Sequence, residues 1–188
     1  MEVMGAIEAR RAYRSLDPVV ITESLIKDLA RSAGLAPSCF NYQPWRFVFV
    51  KDPGVLGEIH GKLSKANRWV ERASMIVAVF SKEDDDCKIR GRNYHQFDTG
   101  MAVGFLMLRA TELGLVAHPF SGYREKGVKG VLGIPEEYQL IALIAVGKKS
   151  DTLHEVLTED QKVTESERPE RKPFGEYAYI DRYADSYP

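Results

Sequence analysis

Ala36-Pro37-Ser38-Cys39-Phe40-Asn41-Tyr42-Gln43-Pro44-Trp45 runs without a break into Arg46-Phe47-Val48-Phe49-Val50. A helical stripe of Leu25, Ile26, Leu29, Ala30 and Ala33 leads up to it, and Gly34 is placed to stop that helix. Arg46 to Val50 reads as a strand. Pro37 and Pro44 stiffen the loop between them by fixing φ and removing two backbone donors. Ser38, Asn41 and Gln43 then offer donors and acceptors from a stiff frame, which suits holding a flat polar ligand. Ser, Asn and Pro are also ordinary turn formers, and Trp45 suits a core, so on residue types alone a plain helix end and turn explains the stretch slightly better.

Upstream, Thr22 is a good N-cap, with Ile21 and Ile26 spaced as a hydrophobic staple. Val3, Ala6 and Ile7 give a short helical face before Arg10, Arg11 and Arg14. Three guanidiniums within five residues repel one another unless an anion sits among them, and a phosphate matches their forked geometry. A solvated basic face with acidic neighbours is the plainer alternative. Downstream, Asp52-Pro53 opens a helix carrying Leu56, Ile59 and Leu63, and a second helical piece is expected over 66–72. Residues 74–80 read as a buried strand, and 82–86 as a charged surface loop without the spacing of a calcium loop. Residues 98–113 form a helix that is apolar nearly all round, and Gly100 and Gly104 would let a second such helix approach. A short strand is expected at 115–117, a helix at 124–132 closed by Gly133, and a buried strand at 139–146. From 148 to 172 no period is visible, while Phe174, Tyr177, Tyr179, Ile180 and Tyr183 give the tail apolar surface for docking.

The whole chain sets outer bounds. Its 188 residues suffice for one domain, 1–188, without an internal boundary. A net charge of −1 gives no electrostatic case for nucleic acid or an anionic membrane surface. No apolar run is long enough to span a bilayer, and the start is unlike a secretory signal. The two cysteines, Cys39 and Cys87, show neither metal-ligand spacing nor a disulfide framework, so the expected location is cytoplasmic and Cys39 reads as a passive small residue. No convincing nucleophile–base pair or carboxylate pair is present.

The pattern A-P-S-x-x-N-x-Q-P-W before an apolar strand, with Arg10-Arg11-Ala12-Tyr13-Arg14 ahead of it, resembles the FMN-dependent nitroreductase family. A third segment, Pro119-Phe120-Ser121-Gly122-Tyr123, is similar to the family's P-x-x-G-[FY] landmark. The resemblance covers most of the chain and is weakest over 81–92 and 148–168. It implies an α+β, three-layer fold with a central mixed sheet flanked by helices, an intertwined homodimer, and a C-terminal segment, 169–188, docking on the partner subunit.

It further implies FMN as cofactor and NAD(P)H as electron donor. Arg10, Arg11, Ala12, Arg171 and Lys172 would face the FMN phosphate, and Arg14 the pyrimidine edge of the ring. Pro37, Ser38, Cys39, Asn41 and Gln43 would come from the other subunit, and the backbone of Pro119, Phe120, Ser121 and Gly122 would approach the ring. Asn67 aligns loosely with a further polar contact, and Phe40 and Tyr42 would line the pocket of a small-molecule electron acceptor, such as a nitroaromatic or quinone. Ala12 departs from the family's Ser or Thr, and Ser121 stands where many members carry an acid. His118 reads as structural more readily than as a proton donor. Another flavin chemistry on the same fold, or a non-enzymatic FMN-binding protein, stays open.

Overall fold

The computed structural model describes residues 2–183, so the last five residues of the expected docking tail lie outside the described residues. The chain opens with helix α1 (Val3–Ala9), strand β1 (Leu16–Asp17) and helix α2 (Glu23–Gly34). Thr22 caps α2 as its residue type predicts, accepting the Leu25 amide proton. The loop that follows holds one 3-10 turn, Cys39–Asn41, and delivers the chain into β2 (Arg46–Val50). Asp52 accepts from the Val55 amide at the start of α3 (Pro53–His60).

Residues 65–72 depart from expectation. They form a 3-10 stretch, Lys65–Arg72, because Asn67 leaves helical geometry at φ −104°. The Asn67 side chain donates instead to the carbonyls of Ser121 and Gly122. Strand β3 (Met75–Ser81) is buried at every position. The charged segment after it is more ordered than a surface loop, with a 3-10 turn, Glu83–Asp85, and a small hairpin of β4 (Lys88–Ile89) and β5 (Arg92–Asn93). Helix α4 (His95–Glu112) begins three residues earlier than expected from the position of Asp98, and its first residue, His95, meets the Ser81 hydroxyl at 2.8 Å. Then come β6 (Val116–Phe120), α5 (Glu125–Leu132), β7 (Gln139–Lys149) and α6 (Glu159–Ser166).

The main sheet runs β1-β7-β3-β2, with β6 also pairing β7. Every ladder is antiparallel among the described residues, which narrows the expected mixed sheet to an antiparallel one: each strand re-enters the sheet beside its partner in the opposite sense. Strand β6 is longer than expected and takes Pro119 into its ladder. Proline is accommodated there because β6 pairs with β7 alone.

Side chains alternate across the sheet and build a core on each face. Ile76, Ala78 and Phe80 join Leu56, Ile59, Trp69 and Val128 on the α3–α5 side. Met75, Val77 and Val79 join Leu29, Ala33, Ala102 and Leu106 on the α2–α4 side. Helix, sheet and helix make the three expected layers. Arg109 ties α4 to α2 through Asp28, from Nε at 2.9 Å and Nη2 at 2.6 Å. One stripe of α4, Ala102, Leu106 and Ala110, is fully buried. Phe97 and Phe105 are exposed, and among the described residues nothing outside the local helix backbone comes within 4 Å of a Cβ built on Gly100 or Gly104. An apolar groove of about 350 Å³ lined by Val3, Ala6, Leu35, Phe105 and Leu108 lies beside it.

Candidate functional site

The three N-terminal arginines follow α1, where the chain leaves the helix for β1. Arg10, Arg11, Ala12 and Arg14 line a cavity of about 230 Å³ together with Thr164, Arg168, Pro169 and Arg171. The second wall comes from the end of α6, which the sequence reading left without structure, and from the segment that follows it. A capping box builds that helix: the Thr158 side chain accepts the Gln161 amide, and the Gln161 side chain accepts the Thr158 amide.

The cavity is cationic, and its arginines differ in what already holds them. Arg11 donates to the Thr164 and Glu165 carbonyls, capping the C-terminal turn of α6 at 3.0 and 3.2 Å. Arg168 does the same for α1, donating to the carbonyls of Glu8 and Arg10. Arg14 reaches the Thr164 hydroxyl at 3.2 Å and lies over the Trp69 ring. No carboxylate pairs with Arg10 or Arg171 among the described residues. Burial, then the charges of Arg168 and Arg171, push the Arg10 guanidinium below its ordinary range. An anion among them would relieve both effects. Lys172 lies outside this lining and pairs with Glu176 at 3.7 Å, because the chain turns away after Arg171.

Glu165 was not visible as a site residue. It is buried, and its carboxylate accepts the Arg14 amide at 2.9 Å and the Ser15 amide at 2.7 Å. It therefore fixes the backbone from which Arg14 projects. Its only sequence signal was the T-x-x-Q capping box that starts its helix.

Behind Arg14, His118 stacks on Trp69 with ring centroids 4.5 Å apart, and its Nδ1 lies 3.0 Å from the Tyr13 carbonyl oxygen. Burial lowers the His118 pKa to about 4, with Arg14 and Arg10 adding to the shift, so the ring is neutral near pH 7. That supports the structural reading of His118. Phe120 is buried against Trp69 and Tyr123, so its side chain belongs to the core and only its backbone is available to a ligand. Ser121 and Gly122 are exposed. Gly122 has φ +86°, and a Cβ there would come within 2.9 Å of Asn67 Nδ2 and Ser64 Oγ, so glycine is required. Asn67 and the 121–122 segment thus form one rim.

The loop 36–45 lies elsewhere. Ala36 and Trp45 bury in the α2–α4 core, whereas Trp69 and Phe120 bury in the α3–α5 core. The Ser38 hydroxyl accepts the Gln43 amide at 2.9 Å, and the Gln43 side chain folds back to the Asn41 carbonyl at 3.2 Å. Phe40, Asn41 and Gln43 all have positive φ, at 45°, 60° and 51°. Three non-glycine residues in the left-handed region within four positions mark a loop held by its surroundings. Cys39 is bonded to Cys87, which overturns its reading as a passive residue and removes its thiol from the expected ligand set. Phe40 and Tyr42 border a cavity of about 510 Å³ facing residues 84–89. Among the described residues, this loop lines a different cavity from the arginines.

The sequence model described as the nitroreductase family matches residues 7–66 and 57–148. The chain is 27% identical over 169 residues to an iodotyrosine deiodinase of Haliscomenobacter hydrossis, covering 75% of this chain and 76% of that protein. It is 25% identical over 178 residues to an NADH dehydrogenase of Thermus thermophilus, covering 78% and 86%. A solved structure of an oxidoreductase containing FMN superposes with a TM-score of 0.82 at 26% identity, covering 95% and 91%.

Proposed function

The chain belongs to the nitroreductase family, and from that premise we propose that it is an FMN-dependent oxidoreductase working as a homodimer. The observation that carries this reading is the arginine cavity, where Arg10 and Arg171 converge without a carboxylate partner among the described residues. A phosphate dianion is the anion whose geometry suits such forks. The cavity's size and chemistry fit the phosphate end of FMN, and the Asn67–Gly122 rim fits close approach of a flat ring.

Bound FMN would supply two-electron chemistry, taking hydride from NAD(P)H and passing it to an electron-poor acceptor such as a nitroaromatic or quinone. Arg10, Arg168 and Arg171 would hold the phosphate. Arg14, set by Glu165 through its backbone and by Thr164 through its guanidinium, would place positive charge beside the ring and favour its reduced, anionic form. Ser38, Asn41 and Gln43 would complete the site from the partner subunit, which accounts for their separation from the arginines within one chain. Phe40 and Tyr42 would line the acceptor pocket, and 169–188 would dock on the partner.

The experiment is a spectrum of the purified protein with FMN, followed by anaerobic NADH and then NADPH. Bound flavin that bleaches supports the reading and identifies the donor. Flavin that binds without bleaching reduces it to a carrier, and absence of binding removes it. Arg14→Ala should loosen FMN and slow bleaching, while Lys149→Ala should do neither. A second reading, reductive dehalogenation, is favoured by the similarity to iodotyrosine deiodinase. Re-oxidation of the bleached protein by iodophenols, but not by quinones or nitroaromatics, would select it.

A further inference from the structure

We propose that Cys39 and Cys87 form a redox-active thiol–disulfide site, attacked by external dithiols at Cys39, with the Asp86 carboxyl supplying a proton to the departing Cys87 sulfur. The inference stands on side chains of this chain and needs no cofactor.

The bond joins residues 48 apart in sequence, Cα to Cα 6.2 Å, and ties the 36–45 loop to the segment before β4. Its two ends differ in access. Cys39 is half-buried, while Cys87 is buried. The cavity bordered by Phe40, Tyr42 and Cys87 gives a reductant room to approach. An attacking thiolate therefore meets Cys39 more readily, and Cys87 leaves.

Asp86 sits beside the bond with no other evident task. It is 9% exposed, and its Oδ1 accepts the Cys87 amide at 2.7 Å. Its Oδ2 is buried, with no direct hydrogen-bond partner among the described residues, and the Asp98 carboxyl is its side-chain neighbour. A carboxylate oxygen of Asp86 and the two sulfurs all lie within 4.8 Å of one another. Asp98, 2% exposed, takes the Cys39 amide at 2.6 Å, and its charge faces Asp86. Burial is the largest effect and pushes the Asp86 carboxyl up; the Cys87 amide opposes it, the charge and hydrogen bonding of Asp98 add to the rise, and His95 opposes weakly. A carboxyl so placed retains its proton more readily than an exposed one, and a leaving thiolate in buried, acidic surroundings needs that proton.

The reaction balances. The thiolate of a dithiol bonds to the Cys39 sulfur, the Cys39–Cys87 bond breaks, and its electron pair goes to the Cys87 sulfur, which takes the Asp86 proton. The second thiol of the reductant loses its proton to solvent and attacks the mixed disulfide, releasing Cys39 as a thiolate. Protons from solvent restore Asp86 and protonate Cys39. The dithiol is oxidised to a disulfide, and this chain gains two thiols. The strained loop at Phe40, Asn41 and Gln43 then loses its covalent anchor.

The test is timed alkylation and mass analysis of the folded protein, incubated anaerobically with dithiothreitol or with a thioredoxin-type dithiol protein. Two thiols should appear together, Cys39 should be alkylated first, and oxidised glutathione should restore the bond. Asp86→Asn should slow reduction at neutral pH by on the order of a hundredfold, the lower end of what a positioned proton donor contributes. A second measurement needs no variant. At constant concentration of reductant thiolate, the wild-type rate should fall as pH rises through the Asp86 titration. A bond that yields only in denaturant, a flat pH profile, an unchanged rate in a folded Asp86→Asn protein, or free thiols in aerobic glutathione buffer would overturn the proposal. Stoichiometric zinc retained by the reduced protein would overturn it too, reassigning the three side chains to a metal.

Discussion

At the scale of single residues, His118 shows how burial sets a pH dependence. Its folded pKa of about 4 lies below the ordinary 6.5, so the unfolded chain binds the proton more readily. Stability contributed by the neutral ring is present above pH 6.5 and is lost as pH falls from there toward 4. Between pH 7 and pH 5 the loss should be about 2 kcal/mol. Urea unfolding at the two pH values measures it, and His118→Phe, which keeps the stack on Trp69, should flatten that difference. Glu165 makes a second case. Glu165→Gln keeps the shape but gives up the charge that gathers the Arg14 and Ser15 amides, and should destabilise the fold by about 1–3 kcal/mol. If the site reading holds, FMN should also dissociate faster. The sequence drew attention to Arg10, Arg11 and Arg14 because clustered like charges call for an anion, and to Arg171 through the family resemblance alone. It hid Arg168 and Glu165, whose partners are backbone groups around 150 residues distant, beyond any local pattern.

At the scale of elements, periodicity was legible wherever a face is buried. Helix α2 with its Thr22 cap, strand β2 and strand β3 stand where the apolar pattern places them. Helix α6 was missed because it buries Glu165 rather than an apolar stripe, so only its cap announced it. Thr158→Ala should therefore cost about 1 kcal/mol and raise amide exchange through 159–166, with Arg11 losing its hold on the last carbonyls. An unchanged exchange rate would show that tertiary contacts alone hold the helix. The 3-10 geometry of 65–72 was likewise hidden, since the bonds that draw Asn67 away come from Ser121 and Gly122. The Cys39–Cys87 pair escaped because two cysteines 48 apart follow no framework spacing, and only the fold brings them together.

At the scale of the molecule, the exposed face of α4 and the division of site residues between two cores point the same way. Phe105 is 43% exposed beside open space over Gly104. Phe105→Glu should leave the single-chain fold intact and, on the dimer reading, shift the protein to monomers in sedimentation. Flavin retained by such a monomer would refute a site shared between subunits. The family and the three-layer plan were legible because short motifs and alternating strands carry them. The proposed assembly had two sources in the sequence, the family resemblance and an unusually apolar helix, since an interface leaves no spacing of its own in one chain. The arginine cavity, finally, has an implication for biosynthesis. Its walls come from residues 10–14 and 164–171, so a chain emerging from the ribosome carries the first wall long before the second exists. Closing so long a span is entropically slow to reward, and the cavity forms only after the sheet between its walls is made. On the FMN reading, anion capture would then be among the final steps of maturation, and a truncated nascent chain would carry no competent pocket with which to sequester scarce cofactor.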